Sequence, residues 1–451
     1  MRLVISVVVC VFIVIPTAAI ANPLALHCGN LFDSHTGKLL GASTVIIDGK
    51  HIVDVSAGRT LPAQATRIDL SNQTCLPGLI DSHTHLTSQS SPTQSTDQFH
   101  WNQGDYLIRA TVYARTTLMA GFTTVRNLGD NGNNSIALRN AINAGVVPGP
   151  RIFSAGKALS STGGHDDPTD AYRTDLAGDP GVQEGIINSP EDAWKAIRLH
   201  YKQGADLIKI MASGGVLDES SSADNTQMTL EEITAIVTAA HDYNFTVAAH
   251  AHGAEAIRRA VLAGVDSIEH GTGINDEIIA LMKQRGTWYV PTIIAGKTVE
   301  EKANVAGYFP AQVAAKARTV GPMIQHSAAM AYKAGLKIAF GTDAGVYTHG
   351  QNAKEFVYMV EAGIPAAATI QAATISAAEL LKHEKEFGSV SNGKLADIIA
   401  VSGNPLDDIS LLGNVAFVMK EGVVYKQGGK SVMLLSANDD TQTAERNRAK
   451  D

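Results

Sequence analysis

The sequence predicts an α/β chain: a (β/α)8 barrel of the TIM type, carrying a small β-sandwich domain built from both chain ends. Three observations predict it. Eight short apolar runs alternate with segments of helical period through the middle of the 451 residues. Both ends hold β-rich runs broken by turn residues, with no helix pattern of comparable strength between them. No Gly-rich phosphate loop follows the first central run, which disfavours an open doubly wound sheet. Composition agrees: 45% hydrophobic and 18% charged residues are ordinary for a globular chain, and the length suits one barrel plus a smaller domain. A net charge of −8 with no basic cluster leaves no electrostatic footprint for nucleic acid.

Residues 1–21 read as a secretory signal peptide. Arg2 is a short basic start, 3–15 are apolar but too short to span a bilayer comfortably, and Ala19-Ile20-Ala21 is a small-x-small cleavage site. Cys10 lacks the small residues that precede a lipidated cysteine. The mature chain is thus expected in the periplasm of a Gram-negative host or secreted, with no membrane attachment after cleavage. Two cysteines remain, Cys28 and Cys75, and an oxidising compartment permits a disulfide. Both flank the small N-terminal β segment, so they are either paired or two buried thiols.

Residues 22–75 form the first part of the sandwich, with β-rich runs at 24–27, 43–47 and 51–55 separated by Thr36-Gly37-Lys38 and Asp48-Gly49-Lys50 turns. The same texture returns over 385–435, with runs at 396–401, 415–420 and 423–426. Residues 436–451 are polar and charged and read as a disordered tail. The barrel occupies 76–384. Its strands are expected at 76–86, 121–127, 151–156, 206–212, 246–252, 266–270, 287–292 and 337–343. Helical patterns lie between them, such as 107–119, 190–203, 229–243, 253–263, 275–285 and 352–361.

Chemistry in a barrel of this kind sits at the C-terminal ends of the strands. The first strand ends in His83-Thr84-His85, whose side chains leave one face because strand residues two apart do. Imidazole is the commonest metal ligand. The fifth strand ends in His250-Ala251-His252, the sixth in Glu269-His270-Gly271, and the eighth in Gly341-Thr342-Asp343. The fourth carries Lys209 inside Leu-Ile-Lys-Ile-Met. A lysine with apolar neighbours on both sides is pushed toward neutrality by burial. The neutral amine is a nucleophile able to capture carbon dioxide as a carbamate, an anion with two oxygens that could bridge two cations. A Schiff-base lysine is the rival, and it leaves the histidines unexplained. His83, His85, His250 and His270 read as ligands; Asp343 reads as ligand and proton shuttle, with a helix cap as its plain alternative. His252 reads as a substrate contact. Ser160 to Asp167, Gly-rich and following the third strand, reads as a lid whose His165 touches substrate.

The run Leu-Pro-Gly-Leu-Ile-Asp-Ser-His-Thr-His, the fourth-strand lysine, the two later histidines and the closing Gly-Thr-Asp resemble the amidohydrolase superfamily. Ser-Thr-Gly-Gly-His, Ile-Lys-Ile-Met-Ala-Ser-Gly-Gly, His-Ala-His-Gly and Ser-Ile-Glu-His-Gly resemble its imidazolonepropionase-related branch. That branch includes prolidase-like, carboxypeptidase-like and ochratoxin A-hydrolysing enzymes, and the resemblance covers nearly all of the mature chain. It implies two divalent ions, usually zinc: one on His83, His85 and Asp343, the other on His250 and His270, with carboxylated Lys209 bridging them. It implies hydrolysis of an amide bond to a C-terminal amino acid, of a dipeptide, an N-acyl amino acid or an ochratoxin-like substrate. The attacking hydroxide would be made available near neutral pH by the two cations, with Asp343 moving the proton to the leaving amine. A small-molecule substrate with a carboxylate-bearing leaving group and a homo-oligomeric state are expected, and Ser88, beyond His85, is a further candidate contact. The imidazolonepropionase reaction itself is not implied, since it goes with one metal and no bridging lysine. Two other functions use the same scaffold: lactone or other cyclic amide and ester hydrolysis, and a non-enzymatic role on a decayed barrel, which the full ligand set opposes.

Overall fold

The computed structural model describes residues 23–58, 65–130, 132–219 and 222–432. The signal segment expected at 1–21 and the tail expected at 436–451 lie outside them. Strands β1 (Leu24–Asp33), β2 (Lys38–Leu39), β3 (Ser43–Asp48), β4 (His51–Ala57) and β5 (Thr66–Pro77) come first. The middle holds β6 (Leu79–Thr84), β7 (Phe122–Asn127), β8 (Arg151–Ser154), β9 (Ile208–Met211), β10 (Val247–Ala251), β11 (Ser267–His270) and β12 (Trp288–Val290). Last come β13 (Ile398–Ser402), β14 (Phe417–Lys420), β15 (Val423–Gln427) and β16 (Lys430–Ser431).

The two chain ends meet, as their shared texture suggests. Nine strands form one mixed sheet in the order β16-β15-β14-β13-β5-β1-β3-β4, with β2 paired to β1. The join is β13 against β5, where Ala400 faces Cys75 across an antiparallel ladder. The sheet curls: the far edge strand β4 returns to bond the segment before β13, through a His51–Leu395 bridge and Ile52 N–H donating to Lys394 O at 2.8 Å. Leu26, Val45, Ile47, Ile398, Phe417 and Met419 fill the space inside. Cys28 and Cys75 are disulfide-bonded there, their Cα atoms 5.8 Å apart on the parallel pair β1 and β5. β1 extends well past the expected run at 24–27, and β5 is a strand with no counterpart among the expected runs; it takes in Leu76 and Pro77, expected to open the first barrel strand.

The middle forms two parallel sheets, β6-β7-β8 and β12-β11-β10-β9. Every residue of β6, β7, β9, β10 and β11 is buried, the signature of parallel strands covered on both faces. Three parallel bridges link the sheet edges: Leu159–Ile210, Tyr289–Ile338 and Thr84–Ala344. The eighth strand expected at 337–343 is extended but not a regular strand. Phe340 N–H goes to Ala372 O and not to a neighbouring strand, while Ser82 N–H still donates to Phe340 O at 2.8 Å and the Asp343 N–H to His83 O at 2.7 Å, across to β6. Gly78 links the terminal sheet to β6 and must be glycine, because a Cβ there would sit 2.1 Å from Thr123 Oγ1.

The helices begin and end where local chemistry directs. Ser189 Oγ caps Pro190–Gln203, which stops at left-handed Gly204. Thr229 and Glu232 form a capping box before Leu230–Asp242. Asn275 caps Asp276–Arg285, which ends at Gly286. Two helices absent from the expected patterns, Ile293–Ala303 and Ala311–Lys333, cross so closely that a Cβ on Gly321 would meet Gly296 O at 2.7 Å. Pro322 inside the second weakens the helical reading from sequence. No helix among the described residues is long and apolar enough to cross a membrane.

Candidate metal centre and active site

The ends of β6, β9, β10 and β11, together with Asp343, open into one cavity. His83, His85, Lys209, His250, His270 and Asp343 all line it, as do Ser88, His165 and His252. All nine residues singled out from sequence therefore face one space. Within it, His83, His270 and Asp343 each offer a ligand atom within 4.8 Å of the others, and all three are buried. His85 Nε2 lies 3.2 Å and His83 Nε2 3.5 Å from Asp343 Oδ1. The His250 ring is 4.7 Å from that of His270.

The outer ring nitrogens are held by protein, which sets the inner ones. His83 Nδ1–H donates to Glu269 Oε2 at 2.9 Å, and His85 Nδ1–H to Gly129 O at 3.3 Å, so both turn Nε2 inward. His250 is reversed: its Nε2–H donates to Gly214 O at 3.1 Å, leaving Nδ1 as the free donor atom. His270 Nδ1 meets Thr292 Oγ1 at 2.7 Å, and its carbonyl accepts from Tyr289 Oη at 2.8 Å. Asp81, fully buried, accepts from Thr342 Oγ1 at 2.6 Å, Asn352 Nδ2 at 2.8 Å and the His83 N–H at 3.1 Å, tying the Asp343 turn to β6. Asp343, His270 and Thr292 have φ of 61°, 67° and 53°. Non-glycine residues hold that left-handed conformation where surrounding structure imposes it, often at functional sites.

Electrostatics follow from burial. Desolvation pushes His83 down to about 4, aided by Lys209, and His252 down to about 3. It carries His250 and His270 well below the ordinary value. These imidazoles are neutral, the form that binds metal. Burial opposes ionisation of Asp343, yet His83, His85 and Lys209 hold it well below the usual carboxylate range. Lys209 is 1% exposed, and burial lowers its amine in spite of attraction from Glu269 and Asp343. Neutral imidazoles, an ionised carboxylate and converging lone pairs fit a divalent cation such as zinc.

The remaining residues shape the cavity. His165 lies over His250, ring centroids 4.4 Å apart, with its Nδ1 2.6 Å from Asp218 Oδ1. Burial lowers its pKa, but Asp218 more than offsets this and raises it. His252 Nδ1 is 2.7 Å from Thr272 Oγ1. Ser88 sits at the mouth, its carbonyl accepting from His349 Nε2 at 2.9 Å. Apolar side chains also line the cavity, among them Val216, Leu217, Val299, Val320, Ile324 and Val346. Sequence reasoning missed the supports: Arg126, Ser267, Thr292, Thr272, Asp218 and Asp81, and it gave Glu269 no role. For Arg126 and Asp81 the signal was weaker than for Lys209: each is a charged residue in a short expected strand, but with a polar neighbour on one side.

Residues 74–425 match the model of the amidohydrolase family. The chain is 31% identical over 443 residues to ochratoxinase from Aspergillus niger, covering 92% of this chain and 89% of that protein. A crystal structure of a Xaa-Pro dipeptidase with methionine in its active site is 47% identical, with a TM-score of 0.87 over 90% of this chain and all of that one. A prolidase complexed with N-methylphosphonate-L-proline is 32% identical, with a TM-score of 0.81 over 90% of this chain and 100% of that one. This chain belongs to the amidohydrolase family and is a hydrolase acting on amide or peptide bonds.

Proposed function

We propose that the protein is a binuclear metal-dependent amidohydrolase that releases a C-terminal amino acid from a dipeptide, an N-acyl amino acid or an ochratoxin A-like amide. One observation carries this reading: Lys209, Asp343 and four buried or half-buried histidines share one cavity that apolar side chains also line. His83, His85 and Asp343 would hold one ion, His250 and His270 the other, and Lys209, carboxylated by carbon dioxide, would serve both. Zinc suits this donor set. Bound there, the ions would polarise the scissile carbonyl and make a water nucleophilic near neutral pH.

The chain's own residues supply the rest. Asp343, ionised and beside both β6 histidines, accepts a proton from the attacking water and returns it to the leaving nitrogen. The apolar lining receives an uncharged side chain of the substrate and keeps water from it. His165, His252 and Ser88 contact its polar groups, including the carboxylate of the leaving residue. The relatives named ochratoxinase and Xaa-Pro dipeptidase support amide cleavage beside a carboxylate-bearing residue.

The same reading extends to organisation. The three bridges between the edges of the parallel sheets support one closed (β/α)8 barrel over 76–384. The curled terminal sheet supports a small sandwich from 22–75 and 385–435. Residues 1–21 serve as a signal peptide, the mature enzyme is periplasmic or secreted, and it assembles as a homo-oligomer.

The test is product release by mature, zinc-loaded protein supplied with bicarbonate. The panel holds Xaa-Pro, Xaa-Arg and Xaa-Phe dipeptides, N-acyl amino acids, ochratoxin A and several lactones, read by mass spectrometry. Free C-terminal amino acid is the expected product. Lactone opening without amide cleavage would replace the reading.

A further inference from the structure

Behind His83 lies a buried polar chain that crosses the strand ends. Arg126 on β7 is 1% exposed and Glu269 on β11 is fully buried. Arg126 Nη2 donates to Glu269 Oε1 at 2.7 Å, and Nη1 to Ser267 Oγ at 3.0 Å. Its Nε donates to Ser82 O at 2.5 Å, next to His83 in β6. Ser267 Oγ–H in turn donates to Glu269 Oε1 at 2.5 Å. One carboxylate oxygen is thus taken up by the guanidinium and the hydroxyl. The other, Oε2, is left to accept the Nδ1–H of His83.

A buried carboxylate with no cation beside it carries a large desolvation cost. Arg126 removes that cost, and it does so from a strand that supplies no ligand to the site. A carboxylic acid in its place could donate to Nδ1 and so favour the wrong tautomer of His83. The charged carboxylate can only accept, so it fixes the proton on Nδ1 and the lone pair on Nε2. It also makes Nε2 a stronger donor, as carboxylates behind ligating histidines do.

We propose that Glu269, paired with Arg126 and oriented by Arg126 and Ser267, is a positioning residue that sets the tautomer and donor strength of His83. This rests on the reading of His83 as a metal ligand. It makes the Arg126–Glu269 pair a determinant of metal affinity although neither residue lines the cavity.

Two variants of the full mature protein carry the test. Glu269→Gln removes the charge. Arg126→Met combined with Glu269→Gln removes both charges, so no unpaired guanidinium remains to disturb folding. The zinc dissociation constant is read by competition with a chelating dye, and the melting temperature of the metal-free form reports the fold. Arg151→Met, remote from the cavity, serves as a destabilised control. Both test variants are expected to bind zinc about 10–100-fold more weakly, with the control retaining its affinity. Unchanged zinc affinity in a folded test variant overturns the inference, as does an equal loss in the Arg151→Met control. If the unsubstituted protein holds no divalent ion, the metal-centre reading falls and this inference with it. If it binds zinc tightly and the variants match it, only this inference falls.

Discussion

The molecule buries charge at both ends of its parallel strands, in two different ways. At the N-terminal end of β8, Arg151 donates to Asp397 Oδ2 at 2.7 Å and to Glu421 Oε1 at 2.9 Å. Glu421 also takes Lys50 at 2.8 Å, and Lys420 Nζ is closed off by Gly149 O at 2.9 Å. Cation and anion meet directly there, and the cluster bolts the terminal sheet to the central one. At the C-terminal ends, five histidines, Lys209 and Asp343 crowd together with their outer atoms held and their inner atoms turned toward one another. The first arrangement satisfies itself and reads as stability. The second leaves lone pairs converging, which a cation would satisfy, and reads as function.

That contrast can be broken most sharply at the rim. Lys209→Ala should lose most bound metal and activity, with short carboxylic acids restoring part of both; metal analysis and turnover with and without acetate check it. Full activity in that variant would remove the bridging role. Asp343→Asn should lower kcat/KM by roughly 10²–10⁴, the usual weight of a lost acid–base group. The melting temperature of the metal-free protein, measured alongside, reports whether each variant keeps its fold.

Arg151→Met should do the reverse. It leaves buried Asp397 without its cation and Glu421 with Lys50 alone, and should cost about 3–5 kcal/mol, as breaking a buried pair does, while kcat of the folded fraction stays unchanged. Denaturant titration alongside steady-state kinetics separates the two quantities. Cys28→Ser with Cys75→Ser opens a crosslink between residues 47 apart. On the chain-entropy estimate this costs up to about 4 kcal/mol, again with the rim chemistry intact.

The smallest effect is a pH dependence. Burial raises the Glu421 pKa, but the Lys50 hydrogen bond and Arg151 outweigh it and hold the carboxyl at about 2, against an ordinary 4.5. In that window the unfolded chain binds more protons than the folded one. The contribution is therefore present above pH 4.5 and is lost as pH falls toward 2. Glu421 is partly exposed, so screening reduces the effect to the order of 1 kcal/mol. Comparing the acid arm of the stability curve with that of Glu421→Gln in metal-free protein isolates it; identical arms would show that the pair contributes nothing.

The candidate site was unusually legible because its residues violate local expectation. A lysine inside Leu-Ile-Lys-Ile-Met, and histidines two apart at strand ends, stand out from any apolar run, and the alternation of strands and helices says they end at one rim. Arg126 is less conspicuous within the polar run Thr-Thr-Val-Arg-Asn, and its purpose was not legible. It acts on Glu269, 143 residues further on, and only the packing of β7 toward β11 makes them partners. Asp81 is similar, since its partners Thr342 and Asn352 lie 261 and 271 residues away. The helices Ile293–Ala303 and Ala311–Lys333 escaped for another reason. Gly296, Gly321 and Pro322 weaken helical propensity locally, and the close crossing of the two helices repays that weakness only in the folded state.

By itself, then, the sequence determined the α/β class, the joining of the two chain ends, the identity of the inward-facing donors and the family. Each depends on periodicity or residue chemistry, which are local. Tertiary structure decided the pairing of Cys28 with Cys75, the opposite tautomers of His83 and His250, the apolar lining of the site and the loss of regular strand geometry at 337–343. Those depend on which atoms meet across the fold, where an ångström settles whether a nitrogen donates outward or is left free to bind within.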